Sequence, residues 1–251
     1  MNLKKITVIL SSRKSINTKE LIKRFEYELK KQKKDTEFQY INLHDYDIKI
    51  CIGCENCILK DSCPFDDDVA VINDILINSD GIILSSPVYV ENVTGVFKNY
   101  VDRNCKWFHR SPLKGKPFIT VCTTNGSGLK VTSAYLKTVG TRWGMAFCGE
   151  IKRNIRNIKN PVDENIVDKF IDAVYDGKYL PVSTRDIMSF QVQKALAGII
   201  DKDYEYWEEK GLFTEDYFYP AKINIIKKAI GRSFYKFISS KFSKSTKNNI
   251  Y

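Results

Sequence analysis

The chain has 251 residues, 43% hydrophobic and 12% aromatic, a composition that excludes intrinsic disorder and suits one large domain or one domain with an appendage. The formal net charge is +10. The start, MNLKKITVILSS, has too short an apolar run for a secretory signal, and no stretch reaches the length of a membrane span, so a soluble cytoplasmic protein with reduced thiols is expected.

KITVIL (5–10) reads as a buried strand, and the polar segment SSRKSINT leads into a helix over about 18–33. FQYINL (38–43) is a second strand. A cysteine-bearing segment follows, and Asp66, Asp67 and Asp68 mark the N-terminus of a helix over about 68–78. GIILSSPV (81–88) is a third strand, VTGVFKNYVDR is helical, KPFITVCTT is a fourth strand, and a helix spans about 129–142. MAFCGEI gives a fifth strand and 162–176 another helix. Nearly all-apolar strands alternating with helices predict an α/β fold, a doubly wound five-stranded parallel sheet with helices on both faces.

In such sheets ligands sit beyond the carboxyl ends of the strands. After the first strand, Ser11, Ser12, Arg13, Ser15, Asn17 and Thr18 put hydroxyls, an amide and a cation ahead of a helix N-terminus, which suits a phosphate or an ordinary N-cap. Neither GxGxxG nor a Walker lysine motif is present, which disfavours a Rossmann dinucleotide site. After the third strand, Pro87 stiffens the exit and Tyr89 offers an aromatic face, features that a flat heteroaromatic ring could use. After the fourth, Thr123 to Gly128 supply small residues that permit close backbone approach, or simply a tight turn.

Cys51, Cys54, Cys57 and Cys63 fall within CIGCENCILKDSCP. Thiolates are soft ligands for iron–sulfur clusters, zinc or copper(I). Three cysteines at three-residue steps, then a fourth followed by Pro64, approach the ferredoxin-type pattern around a cubane cluster. Zinc sites more often separate two CxxC pairs by a dozen or more residues, and a loop that only packs is the bland alternative.

On the segments SSRKSINT, CIGCENCILKDSCPFDDD, DGIILSSPVYVENVTGVFKNYVDR and TTNGSG, the chain resembles the flavodoxin-like NADPH-dependent FMN reductases. Within them it resembles the iron–sulfur flavoproteins, over about residues 3–150. The resemblance implies FMN, its phosphate held by Ser11, Arg13, Ser15, Asn17 and Thr18. It implies that Pro87, Val88, Tyr89, Val90, Glu91, Asn92 and Val93 border the isoalloxazine, and that Thr123, Thr124, Asn125, Gly126 and Gly128 close the third side. The four cysteines match the spacing that holds a [4Fe–4S] cluster. Ile16 and Ser12 stand where such proteins often carry Gly and Pro, so the phosphate loop is expected to differ in shape.

The expected division is a flavodoxin-like domain over 1–180, with the cysteine loop at 51–63, and a mainly helical extension over 181–251. DYEYWEEKGLFTEDYFYP is crowded with aromatics, which must bury against their own domain or a second subunit; the interface role in a homo-oligomer is favoured. Residues 221–251 hold eight Lys or Arg and no Asp or Glu, and Ile223, Ile226, Ile230 and Phe237 recur at helical spacing. This basic amphipathic helix suits a solvated face, an acidic protein such as a ferredoxin, an anionic membrane surface or nucleic acid; the ferredoxin suits a redox protein best, and no nucleic-acid-binding fold accompanies the charge. Cys105, Cys122 and Cys148 read as structural, and His44 and His109 as surface or packed residues. Trp107 and Phe108 follow the third helix and read as core, with lining of a substrate face as the alternative.

The expected protein is an FMN-dependent oxidoreductase with a [4Fe–4S] cluster, coupling NAD(P)H or ferredoxin electrons to an acceptor. No catalytic side chain is named, because the flavin carries the chemistry. The alternatives are an NAD(P)H:FMN or quinone reductase without a cluster, a non-catalytic electron carrier, and a zinc-stapled interaction protein.

Overall fold

The computed structural model describes residues 3–14, 16–33 and 35–245. The apolar runs form strands β1 (Lys4–Leu10), β2 (Thr36–Asn42), β3 (Gly81–Pro87), β4 (Pro117–Thr124) and β5 (Ala146–Asn154). All pair in parallel, in the order β2-β1-β3-β4-β5. The winding reverses between β1 and β3, which opens a crevice at their carboxyl ends.

Side chains alternate across each strand, so every strand serves both faces. Ile6, Val8, Ile83, Ile119 and Val121 pack with Leu21, Ile22 and Phe25 of α1 (Ile16–Gln32) and with Val167 and Phe170 of α6 (Glu164–Asp176). Ile9, Ile82, Leu84, Phe118 and Cys122 meet the other layer, α3 (Val69–Ile77), α4 (Gly95–Arg103) and α5 (Leu129–Arg142). Burying such a side chain contributes roughly 1.5–3 kcal/mol, so these two layers hold the sheet between them. Trp107 is core as expected, edge-on to Trp143 with ring centres 5.0 Å apart. A short helix, α2 (Asn56–Leu59), sits inside the cysteine loop.

Beyond α6 the chain forms α7 (Thr184–Ala197), α8 (Asp201–Glu209) and α9 (Ile225–Ser245). The aromatic segment takes the first of the two expected routes, burial against its own chain. Trp207, Tyr217 and Phe218 are buried around Phe190 in a third apolar cluster, joined by Tyr206, Phe213 and Tyr219. These rings find burial within the chain, where they build an internal core. Only Tyr204 keeps a large exposed area, at 45%.

Candidate functional site

The loops after β1, β3 and β4 meet at the carboxyl edge of the sheet. They enclose a cleft of about 350 Å³ lined by Ser12, Lys14, Asn17, Thr18, Pro87, Val88, Tyr89, Thr123, Thr124 and Asn125. A second cleft, of about 340 Å³, shares Ser12 and Lys14 and adds Arg13, Lys19, Tyr40 and Asp45. Hydrogen bonds between hydroxyls fix the junction: Thr18 to Thr123 at 2.6 Å and Ser12 to Tyr89 at 3.2 Å. Ser11 is buried and donates its hydroxyl to the Ser85 carbonyl at 3.1 Å, so its side chain is committed to the sheet. Arg13 and Asn17 are exposed beside the opening, and Ser15 lies outside the described residues. The N-terminus of α1 with Arg13, Lys14 and Lys19 forms a donor set that fits a phosphate.

The loop after β3 is strained. Tyr89 and Asn92 exchange backbone hydrogen bonds of 2.8 and 3.0 Å, closing a two-residue hairpin. Its tip residues Val90 and Glu91 have φ of 48° and 61°. Two positive φ angles are what such a tip requires, but Asn and Gly adopt them far more readily than a β-branched residue. Val90 is 99% exposed, so no side-chain contact accounts for its presence. Asn92 is exposed, and Val93 turns inward and joins the core. Gly128, with φ of 80°, backs against the hairpin: a Cβ there would lie 2.6 Å from the Glu91 Cα. The third loop is thereby locked to the second. Within it, Thr124 Oγ1 donates to the Ser127 carbonyl at 2.9 Å and accepts from the Gly126 amide at 3.1 Å. A flat ring slotted between Tyr89, Pro87 and the Thr123–Asn125 backbone fits this opening.

Cys51, Cys54, Cys57 and Cys63 line one cavity of about 510 Å³, together with Ile52, Phe65, Val101, Arg103, Cys105, Phe108 and Tyr135. The loop that carries them has little secondary structure and is clamped from outside. Cys51 N donates to Asn99 Oδ1 at 3.0 Å, and Asn99 Nδ2 donates to the Ile48 and Lys49 carbonyls at 3.2 Å. Arg103, at the end of α4, pairs with Asp67 and donates to the Lys49 carbonyl at 2.9 Å and to Cys63 Sγ at 3.4 Å. Burial disfavours the Asp67 carboxylate, but hydrogen bonds from Arg103 and from the Lys49 and Val69 amides outweigh it and hold the carboxyl below its usual range. On the other side Arg110 donates to the Cys57 carbonyl at 2.5 Å and pairs with buried Asp203 of α8, which His109 Nδ1 also meets at 2.8 Å.

Burial, then the neighbouring thiols led by Cys63, push the Cys57 thiol above its ordinary value. Several thiolates in one apolar cavity repel, and a bound electropositive centre would remove that penalty. Among the described residues no group of three or more His, Cys, Asp or Glu is arranged to hold a single metal ion. Four thiols lining one cavity are a soft donor set suited to an iron–sulfur cluster or to zinc.

Cys122 and Cys148 are buried, and burial pushes each thiol up to about 12, as structural cysteines should be. Cys105 departs from that expectation: it lines the cysteine cavity, as does Phe108. Arg103, Arg110 and Asp203 also went unread as site residues. Their roles depend on contacts up to 94 residues apart in sequence, which no local motif announces.

The model of the NADPH-dependent FMN reductase family matches residues 4–159, more than half of the chain. An iron–sulfur flavoprotein of Clostridioides difficile is 31% identical over 224 residues, covering 82% of this chain and 99% of the relative. Another, from Archaeoglobus fulgidus, is 28% identical over 187 residues, covering 70% and 84%. Among solved structures, RosB with bound 8-demethyl-8-formylriboflavin-5'-phosphate superposes with a TM-score of 0.53 at 12% identity, covering 89% of this chain and 92% of that one. A flavone reductase gives 0.51 at 16%, covering 70% and 66%. These two likenesses bear on the fold alone. With its flavodoxin-like sheet and its three loops at the carboxyl edge, the chain belongs to the NADPH-dependent FMN reductase family and is an FMN-dependent oxidoreductase.

Proposed function

We propose that this oxidoreductase couples NAD(P)H to one-electron carriers in the cytoplasm through FMN and a [4Fe–4S] cluster on Cys51, Cys54, Cys57 and Cys63. When bound, FMN exchanges electrons in pairs or singly, and the cluster passes them one at a time. Arg13, Asn17, Thr18 and the N-terminus of α1 would hold the FMN phosphate. Pro87, Tyr89 and the loop through Gly128 would set the slot for its ring.

The observation that carries the reading is α4. Thr94, which ends the strained loop, caps this helix by accepting from the Phe97 amide at 3.4 Å. Val101, Asp102 and Arg103 at its far end line the cysteine cavity. Nine residues separate the two sites, about 13.5 Å at 1.5 Å per residue. One rigid element thus joins the flavin loop to the cysteine cavity. Apolar side chains, Val101 and Phe108 among them, line part of that cavity, and Arg103 steadies Cys63. No side chain is required as acid or base.

The test is purification without oxygen, followed by an absorption spectrum, iron and sulfide analysis, and turnover with NADH and NADPH. The expected result is bound FMN with iron and sulfide in equal amounts, about four of each per chain, and reduction by a nicotinamide. FMN without iron would leave a cluster-free reductase. FMN with iron but no turnover would leave a carrier.

A further inference from the structure

Helix α9 buries one face and leaves an apolar one uncovered. Gly231 presses on α7, where a Cβ would come within 2.8 Å of Ile187 Cγ2. Ile226, Ile230 and Phe237 point elsewhere and are 67%, 43% and 57% exposed. At 100° per residue these three lie within about 40° of one another, on one strip of the helix that is interrupted only by exposed Ser233 between Ile230 and Phe237. The charge around the stripe is of one sign. Asp216 answers Arg232 at 2.9 Å and Lys228 at 3.4 Å, and Lys227 donates to the Val182 carbonyl at 2.8 Å. Lys236 is exposed, and Lys241 is exposed with its ammonium 5.6 Å from the centre of the Phe237 ring. No acid occurs anywhere in 221–251.

We infer that α9 is an interfacial helix, which lays the Ile226–Ile230–Phe237 stripe into the surface of an anionic lipid bilayer with Lys236 and Lys241 on the headgroups. An apolar stripe flanked by cations is the pattern of helices that lie in a membrane surface. The helix is 21 residues, about 31 Å, long enough to lie flat, while no described helix is long and apolar enough to cross a bilayer. A second copy is the poorer occupant, because pairing two such faces would oppose lysine to lysine without a counter-charge. A docked electron carrier is poorer too: none of the residues lining the flavin clefts or the cysteine cavity belongs to α9. The inference does not depend on the cluster.

The experiment is co-sedimentation of the full-length flavoprotein with vesicles of phosphatidylcholine alone or mixed equally with phosphatidylglycerol, across a salt series. Anionic vesicles should bind at least tenfold more tightly than neutral ones, and salt should weaken that binding. Each lysine near an anionic surface contributes roughly fivefold, so Lys236→Gln with Lys241→Gln should lose about 25-fold. Ile226→Ser with Phe237→Ser keeps every charge and should abolish binding, with circular dichroism and flavin absorbance unchanged. Failure of the native protein to bind anionic vesicles overturns the inference, as does undiminished binding by the serine variant. So does self-association, or saturable binding of an acidic ferredoxin, that the serine variant loses, because the stripe then serves a protein surface.

Discussion

The flavin cleft and the cysteine cavity are built in opposite ways. The cleft is made from the ends of three paired strands, so the sheet register positions its loops and few charged clamps are needed. The cavity hangs on a long loop between β2 and α3 whose own helical structure is a 3₁₀ turn at Leu43–Asp45 and the short α2. Buried ion pairs do there what the sheet does for the cleft: Arg103–Asp67, with side chains 2% and 1% exposed, and Arg110–Asp203, at 6% and 1%. A site on strand ends inherits its order from the fold. A site on a free loop must be tied down, and its ties can be cut without touching the other site.

The sharpest way to break this contrast is Cys54→Ser. Iron and sulfide should fall to nothing while FMN stays bound, since separate loops supply the two sites. Unchanged iron content would end the four-cysteine assignment. Next in size is Asp67→Asn, which strands the buried Arg103 and should cost about 3–5 kcal/mol. Iron retention should suffer while FMN affinity holds, measured by denaturant unfolding and fluorescence titration. The pair also sets an acid limit. The Asp67 carboxyl is held below its usual range in the folded state, so its stabilisation is complete above the unfolded value of about 3.9. That stabilisation is lost as pH falls through the lower folded value. An Asp67→Asn protein should therefore lose less stability than the native one between about pH 5 and about pH 2.

On the cleft side, Gly128→Ala must accept a φ of 80° and a Cβ only 2.6 Å from the Glu91 backbone. The conformation alone costs about 1–2 kcal/mol, and relief of the clash must shift the hairpin. FMN should bind at least tenfold more weakly, with iron content unchanged. A loss of iron equal to the loss of FMN would mean that the two sites are not separately built.

How much of this was written locally in the chain follows the same divide. The strands were legible because a strand covered on both faces has to be nearly all apolar, and KITVIL and KPFITVCTT became β1 and β4 with little change. The cysteine spacing was legible because its residues are neighbours in sequence. Arg103, Cys105 and Phe108 were not, since they reach the cavity only once α4 is packed. The aromatic segment was legible only in part for a related reason: composition demands burial but does not say against what, and Phe190 of α7 supplies a partner. In α9 the periodic Ile226, Ile230 and Phe237 were visible in sequence, yet the face packed on α7 is the one bearing Gly231.

The smallest expected effect concerns the hairpin tip. Among the described residues the non-glycine positions with positive φ are Glu55, Asp61, Val90 and Glu91, all in the two site loops. Strain that persists at a site is held by its surroundings and is linked to function often enough to test. Val90 offers a clean case, because its side chain is 99% exposed and removing it breaks no packing. Val90→Gly removes a left-handed penalty of about 1–2 kcal/mol but makes the unfolded chain freer. A net gain of up to about 1 kcal/mol in stability is expected, read from the denaturation midpoint of the FMN-free protein. If the fixed tip pre-shapes the slot for the flavin ring, the same change should weaken FMN binding a few-fold, because the freed loop must be ordered again on binding. Val90→Asn, which tolerates the left-handed region, should gain stability while keeping more of the affinity. Should Val90→Gly destabilise the protein and leave FMN affinity untouched, the hairpin would be a structural turn with no part in shaping the cleft.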